Sequence, residues 1–270
     1  MKKWVIFTDL DGTLLDYRTY SFEAAMPALQ ELRDKDIPLV LCSSKTRSEI
    51  ERYREKIQND HPFISENGGG IFIPKSYFKS GIQNLEFRIR TEDGYLIITL
   101  GASYADLRKA VRELQAEGFG VRGFGDMTAE EVAKRTGISI DEAVMAKERD
   151  FDEPFVFEGD AEQAQRLLKA ITAKGFRHTQ GRFYHMLGDR DKGKAVQILI
   201  DLYRKTYGDV VSIAIGDSSN DIPMLGVADY PVVVQKPDGK YDSRLNVPNL
   251  IRAGGIGPDG WNKAVLRLIS

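Results

Sequence analysis

Short apolar runs alternate with amphipathic segments at both ends of the chain, a pattern that predicts an α/β fold with a parallel sheet. The first run, at residues 4–7, ends abruptly at a polar loop. Further apolar runs predict strands at residues 37–42, 63–65, 71–73, 210–215 and 231–234. Amphipathic spacing predicts helices from Ser21 to about Arg33, up to about Ile57, from Asp191 to about Gly208, and from Gly260 to Ile269.

The pattern changes near residue 80 and returns near residue 188. Alternating or apolar positions in this middle part predict strands within 87–90, 95–100, 155–157 and 183–186. Helix starts are indicated at Ser103, Thr128, Ser139 and Asp160, and helix ends at Gly118, Gly137 and Gly175. We therefore expect a core formed by residues 1–80 and 188–270, with an α+β cap domain inserted at 81–187.

Composition narrows the class of protein. The chain has 270 residues, 42% of them hydrophobic, and a formal net charge of −2 with the two signs mixed. The absence of a basic stripe argues against a nucleic-acid partner, and no apolar run is long enough to span a membrane. The single cysteine, Cys42, fits a reducing compartment, and the start lacks a secretory signal, so we expect a cytoplasmic protein. Nothing in the sequence specifies an oligomeric state.

Two carboxylates stand where the first predicted strand ends. Asp9 and Asp11 lie two positions apart and can start on the same side of the backbone. Gly12 permits a sharp turn, and Thr13 offers a hydroxyl near it. Ligands of open α/β sheets bind at the carboxyl ends of the strands, and two acids placed there repel each other unless a cation is close. A divalent ion with oxygen ligands, above all Mg²⁺, fits this site.

Polar groups also end two other predicted strands. Ser43 follows the second strand, and Asp217, Asn220 and Asp221 follow the strand at 210–215. Lys192 starts a long helix, with Lys194 as an alternative two residues on. A parallel sheet brings the loops that follow its strands to one edge. The polar side chains of these loops suit phosphoryl transfer to a carboxylate. In that reaction a metal offsets charge, while a hydroxyl and an ammonium hold phosphate oxygens.

The order of these segments resembles the four motifs of the haloacid dehalogenase (HAD) superfamily. The segments are Asp9–Thr13, Ser43, Lys192 and Gly216–Asp221. The resemblance implies a Rossmann-like parallel-sheet core with an inserted cap, and a Mg²⁺-dependent phosphatase. It implies that Asp9 is the nucleophile and Asp11 the general acid and base. It assigns phosphate binding to Ser43, Lys192 and Asn220. The implied metal ligands are Asp9, Asp11 through its backbone carbonyl, Asp217 and, in support, Asp221.

Longer segments are similar to the mannosyl-3-phosphoglycerate phosphatase family within that superfamily. These segments are 43–46, 66–69, 73–74, 181–185, 191–196 and 257–262. The similarity implies hydrolysis of 2-O-mannosyl or 2-O-glucosyl 3-phosphoglycerate to the glycosylglycerate and phosphate, through an aspartyl phosphate. The expected partner is thus a small phosphorylated glycoside. Candidates for the glycerate carboxylate are Lys45, Arg182 and His185, and candidates for the sugar hydroxyls are Glu66 and Asn67.

Several residues also have simpler interpretations. Ser43, Asn220 and Asp221 can cap helices, and Glu66 and Asn67 can belong to a tight glycine-rich turn. On the same scaffold, the alternative function is a sugar phosphatase or phosphomutase of the phosphomannomutase or sucrose-phosphatase type. A phosphorylation-dependent receiver also uses an acidic pocket with Mg²⁺, although the Asp-x-Asp-Gly-Thr order and the large insert disfavour it.

Overall fold

A nine-stranded sheet forms the centre of the protein in the computed structural model, which describes residues 3–78 and 87–270. Its strands lie in the order β13-β12-β11-β1-β2-β3-β4-β6-β5. Their bounds are β1 Lys3–Thr8, β2 Leu39–Cys42, β3 Phe63–Ser65, β4 Gly70–Pro74, β5 Arg88–Glu92, β6 Tyr95–Thr99, β11 Val210–Gly216, β12 Tyr230–Gln235 and β13 Ile251–Ile256. From β13 to β3 all pairings are parallel, and beyond β3 they are antiparallel. The predicted α/β fold with a parallel-sheet core is confirmed.

Helices cover both faces of this sheet. Their bounds are α1 Met26–Asp34, α2 Arg47–Ile57, α7 Lys192–Tyr207, α8 Ile222–Leu225 and α9 Pro258–Ile269. Successive side chains of β1 point to opposite faces, so Ile6 joins a core with α1, α2 and α9, whereas Val5 and Phe7 join a core with α7 and α8. Burial on both faces explains why the parallel strands are continuous apolar runs.

A smaller antiparallel sheet, in the order β7-β8-β10-β9, lies in the middle part of the chain. Its strands are β7 Val121–Gly123, β8 Asp152–Phe157, β9 Arg177–Gln180 and β10 Tyr184–Leu187. The helices of this part are α3 Tyr104–Ala116, α4 Ala129–Thr136, α5 Ile140–Lys147 and α6 Ala161–Ala173. Side chains of Ser103, Thr128, Ser139 and Asp160 accept hydrogen bonds at the four helix starts, as predicted.

A division into core and cap stays a proposal. The predicted boundary at 80/81 lies outside the described residues. Strands β5 and β6, which we placed in the insert, instead extend the large sheet, because β6 pairs with β4 over five residues. Their alternating pattern correctly predicted antiparallel pairing. The expectation of one wet face was wrong, because all of β5 is exposed and the adjacent Ile97 and Ile98 of β6 are both buried. A pattern along one strand also does not identify the neighbouring strand.

The helix predicted from Ser21 begins later than we expected. Residues 23–25 form a 3-10 turn, α1 starts at Met26, and Ser21 Oγ accepts only the amide of Glu23, at 3.2 Å. Pro27 explains the shift, since proline is favoured in the first turn of a helix and disfavoured further in. Strands β7, β9 and β13 were not predicted, because they are short, polar or rich in glycine.

Candidate active site

Three acidic side chains converge where β1 and β11 end side by side. Asp9 follows β1 and its amide donates to the carbonyl of Ile215 in β11, at 2.9 Å. Asp217 and Asp221 lie in the loop after β11. One carboxylate oxygen from each of Asp9, Asp217 and Asp221 lies within 4.8 Å of the others, and all three residues are buried. Oxygen ligands in this number and spacing fit a hard divalent cation.

Lys192 joins this acidic group from the first residue of α7. Its Nζ donates to Asp9 Oδ1 at 2.6 Å and to Asp221 Oδ1 at 2.7 Å, and its side chain is fully buried. Asp191 precedes it as the helix N-cap, with its Oδ1 accepting the amide of Lys194 at 2.9 Å. The cap fixes the start of α7, so Lys192 points into the site while Lys194 stays 41% exposed.

The charges of the group perturb one another. Burial raises the pKa of Asp9 well above its usual range, against the opposing charge of Lys192. Burial and the neighbouring Asp221 raise the pKa of Asp217 to about 7. Burial alone would lower the pKa of Lys192, but the carboxylates of Asp221 and Asp9 raise it, so this lysine remains an ammonium. A cation bound between the acids would relieve their repulsion.

Asp11 lies beside this group rather than in it. Gly12 has φ +78°, and a Cβ there would lie 3.1 Å from Asp217 Oδ2, so the turn brings backbone against the acidic group. The carboxylate of Asp11 turns instead toward Lys45, whose Nζ lies 3.0 Å from Asp11 Oδ1 at ion-pair distance, though off the angle of a hydrogen bond. Asp11 therefore faces the open cavity, where a general acid and base would have to stand.

The remaining predicted phosphate ligands lie around the same rim. Ser43 is fully buried after β2, and its Oγ accepts only the amide of Lys45, at 3.3 Å. Thr46, not Ser43, caps α2, which removes the simpler interpretation of Ser43. Asn220 Oδ1 accepts from Ser218 Oγ at 2.7 Å, and its Nδ2 donates to Asn67 Oδ1 at 3.4 Å.

A cavity of about 400 Å³ opens above these residues and is bounded by both sheets. Asp9, Asp11, Asp217 and Asn220 form its floor, with Lys45 beside them. Side chains from the middle part of the chain complete it: Phe124, Ile138, Arg149, Arg182, Phe183 and His185. The cavity is therefore lined both by residues that follow strands of the large sheet and by residues of the middle part of the chain.

Glu66 and Asn67, which we proposed for sugar hydroxyls, bind protein groups and do not line this cavity. Glu66 accepts the amides of Asp150 and Phe151, at 3.1 and 2.8 Å. Asn67 Nδ2 donates to Asp152 Oδ2 at 2.7 Å. Both residues have positive φ, as expected for the tight turn that we weighed as their simpler interpretation. Their assignment as sugar ligands stays a prediction, and their observed contacts join the turn to residues 150–152.

Sequence reasoning missed two charged residues of this region, Arg149 and Asp152. Arg149 Nη1 donates to the carbonyl of Ser44 at 2.7 Å, and Asp152 accepts from His185 Nδ1 at 2.8 Å. Asp152 is fully buried, and His185 and Arg149 lower its pKa although burial alone would raise it. One feature of the sequence could have indicated them. Charged residues surround the apolar Phe151 directly before an apolar strand, and charges that become buried there need partners of opposite charge.

Comparison with known proteins places the chain in a family. The model of haloacid dehalogenase-like hydrolases matches residues 6–239, which include every segment of the acidic site. The chain is a haloacid dehalogenase-like hydrolase. The resemblance inferred from the four motifs is thus confirmed.

Curated relatives of this HAD hydrolase are phosphatases. A protein of Methanococcoides burtonii named glucosyl-3-phosphoglycerate/mannosyl-3-phosphoglycerate phosphatase is 47% identical over 99% of this chain and 97% of its own length. The mannosyl-3-phosphoglycerate phosphatase of Pyrococcus furiosus is 39% identical over 91% of this chain and 96% of its own. The predicted similarity to that family is therefore confirmed.

Solved structures share the fold of this hydrolase at low sequence identity. A Thermoplasma acidophilum protein superposes with a TM-score of 0.69 over 100% of this chain and 99% of its own, at 18% identity. A phosphatase of the same superfamily from Bacteroides thetaiotaomicron superposes with a TM-score of 0.69 over 99% of this chain and 95% of its own, at 19% identity.

In the described part of the chain, we find no helix long and apolar enough to cross a membrane.

The buried carboxyl of Glu66 makes stability depend on pH. Burial raises its pKa to about 8, from a usual value of 4.5. Because the folded protein holds this proton more tightly than the unfolded chain, its contribution to stability is lost as pH rises from about 4.5 to about 8. This contribution falls by at most about 1.4 kcal/mol of unfolding free energy per pH unit, and we expect Glu66→Gln to lack that decrease.

Urea unfolding at pH 5, 6, 7 and 8, with a chelator present, measures this difference. Glu55→Gln, on the exposed side of α2, controls for the removal of one acid from the surface. Parallel stability curves for the wild type and Glu66→Gln over this range would contradict a protonated Glu66 in the folded state.

Proposed function

We propose that the protein is a Mg²⁺-dependent phosphatase acting on 2-O-mannosyl or 2-O-glucosyl 3-phosphoglycerate. The observation that carries the proposal is the buried group of Asp9, Asp217, Asp221 and Lys192, of which Asp9 and Asp217 line the cavity. The substrate follows from the relatives, two of which are named for phosphatase activity on these glycosides and match nearly the whole chain.

The proposed chemistry has two balanced steps. In the first, a carboxylate oxygen of Asp9 attacks phosphorus, and the ester oxygen leaves with a proton from Asp11, so an aspartyl phosphate and the glycosylglycerate form. In the second, Asp11 removes a proton from water, which attacks phosphorus and releases phosphate from Asp9. Lys192 and Ser43 bind the non-bridging oxygens of the phosphoryl group, with Asn220 beside them.

The proposed metal ligands are Asp9 and Asp217, the backbone carbonyl of Asp11, and Asp221 in support. The spacing of the carboxylates fits a divalent ion. Burial and then the charge of Asp221 raise the pKa of Asp217, and a bound ion would offset the repulsive part. When bound, Mg²⁺ supplies charge compensation for the phosphate as the carboxylate approaches it. Lys192, which contacts both Asp9 and Asp221, supplies part of the same compensation.

The inserted segment has a proposed role in closing the site. Arg149 and the amides of Asp150 and Phe151 contact the large-sheet side through Ser44 and Glu66. A cavity closed in this way excludes bulk water, which strengthens the electrostatic interactions of the phosphate.

Phosphate release tests the function directly. The purified protein is assayed with mannosyl- and glucosyl-3-phosphoglycerate, and with hexose phosphates and sucrose phosphate as controls, each with and without Mg²⁺. We expect turnover of the glycosylated phosphoglycerates in the presence of Mg²⁺, and much slower turnover of the controls. Formation of a phosphosugar isomer without free phosphate would instead identify a mutase, and turnover of hexose phosphates alone would overturn the proposed substrate.

A further inference from the structure

Neighbouring carboxylates neutralise most of the cations around the cavity. Its lining includes six cationic or potentially cationic side chains, which are Lys45, Arg149, Arg182, His185, Lys236 and Arg244. Five of these have a carboxylate oxygen within ion-pair distance. Arg182 is the exception within residues 3–78 and 87–270, where no carboxylate lies within 4.0 Å of its guanidinium. Its charge is therefore available to a ligand.

Arg182 occupies the tip of the hairpin between β9 and β10. Its Nη1 donates to the hydroxyl of Tyr20 at 3.2 Å, and its Nη2 donates to the carbonyl of Arg135 at 3.4 Å. Both distances are long, and these two bonds use two of the five N–H donors of a guanidinium. The side chain is thus held at the edge of the cavity by neutral groups while three donors remain.

The proposed substrate carries a second anionic group besides its phosphate. In a 2-O-glycosylated 3-phosphoglycerate the carboxylate is attached to the carbon that bears the sugar. The proposed function places the phosphate at Asp9 and Lys192, so the carboxylate needs a separate partner in a cavity whose lining already includes several acids. An unpaired carboxylate there would lose its hydration without compensation.

We propose that Arg182 binds the glycerate carboxylate and thereby selects acid-bearing phosphate esters over neutral ones. The inference rests on the proposed function, which it deepens by naming the residue that recognises the acid group. A guanidinium can form two parallel hydrogen bonds to a carboxylate, and this geometry favours arginine over lysine.

The two other candidates for this role are already paired. Lys45 Nζ lies 3.0 Å from Asp11 Oδ1 and 3.5 Å from Glu49 Oε1, in a buried position. His185 Nδ1 lies 2.8 Å from Asp152 Oδ1, and Asp152 is fully buried. Turning Lys45 toward the substrate would weaken its ion pair with Glu49, which is buried. His185 holds Asp152 through Nδ1, so it could offer a carboxylate at most one N–H, at Nε2. Arg182 makes hydrogen bonds to neutral groups and lies 5.9 Å from the ring centroids of Tyr17 and Phe183, so binding a ligand leaves no carboxylate unpaired.

A pair of matched substrates tests the proposal. One is 2-O-mannosyl 3-phosphoglycerate, and the other is 2-O-mannosylglycerol 3-phosphate, which has a hydroxymethyl group in place of the carboxylate. The wild type, Arg182→Gln and Arg182→Lys are compared on both, with Mg²⁺ present. Arg190→Gln removes an arginine that does not line the cavity and serves as the control.

For Arg182→Gln we expect KM for the acid substrate to rise about 10- to 100-fold, because a charged hydrogen-bonded pair is lost. The value of kcat should change little, since the carboxylate is not the reacting group. For the neutral substrate, KM and kcat should be the same in the wild type and in Arg182→Gln. For the acid substrate, Arg182→Lys should have a KM between those of the wild type and Arg182→Gln. Arg190→Gln should match the wild type.

Equal losses of kcat/KM on the two substrates, or no loss on either, would overturn the role of Arg182. That result differs from a failure of the proposed function, in which the wild type itself would not hydrolyse the mannosylated phosphoglycerate. Because Arg182 is exposed and not part of a core cluster, the variants should fold like the wild type.

Discussion

Asp9→Asn is expected to abolish phosphate release while the protein stays folded. The amide is nearly isosteric with the carboxylate, and its oxygen can still accept from Lys192, which now lies 2.6 Å from Asp9 Oδ1. It cannot form an acyl phosphate, so we expect kcat to fall by at least about 10⁴-fold, as on removal of other nucleophiles. Steady-state release of phosphate measures the loss, and circular dichroism checks the fold.

The control for this variant is Asp201→Asn, which changes an exposed acid on α7 that bonds only Gln197, at 2.9 Å. It should retain wild-type turnover. Residual turnover of Asp9→Asn at a substantial fraction of the wild-type rate would remove Asp9 as the nucleophile. In that case a directly activated water would have to carry out the hydrolysis.

Lys192→Met is expected to destabilise the protein as well as inactivate it. The ammonium is fully buried between Asp9 and Asp221, so its removal leaves two buried acids without their partner. Breaking a buried ion pair from one side costs about 3–5 kcal/mol of unfolding free energy. Loss of a preorganised charge at the phosphate should lower kcat by about 10²- to 10³-fold. Urea denaturation and phosphate release measure the two effects.

Lys194→Met is the matched control, because Lys194 lies two residues further along the same helix, is partly exposed, and its side chain bonds only Asp189. It should lose little stability or activity. Added Mg²⁺ should stabilise Lys192→Met more than the wild type, since a bound cation would replace the missing charge. Equal losses in the two lysine variants would contradict the bridging role of Lys192.

Side-chain periodicity predicted the parts of the fold that are buried on both faces. Strands β1, β3 and β11 are short apolar runs, which are typical of buried strands, and they lie within one residue of the predicted positions. Strand β9, Arg177–Gln180, is polar and mostly exposed, and strand β13 contains two glycines, so neither stands out from a loop. Their pairing with β10 and β12 depends on tertiary contacts that periodicity does not report.

The acidic group was predictable because parallel strands deliver their loops to one rim. This rule brought Asp9, Asp217 and Asp221 together from distant positions in the sequence. Arg149 and Asp152 were missed because they lie in the middle part of the chain, outside the loops that follow the parallel strands. The rule also did not reveal that Lys45 is neutralised by Asp11, because that pairing depends on side-chain directions after the strands have ended.

The central strand β1 is joined to its neighbours at very different times during synthesis. It pairs with β2 on one side, but its other partner, β11, begins at Val210. At a ribosomal rate of about 5–20 residues per second, roughly 8–34 s separate the end of β2 from the start of β11. During that interval the nascent chain presents an unsatisfied apolar edge, so we expect chaperone binding until the last quarter of the polypeptide emerges.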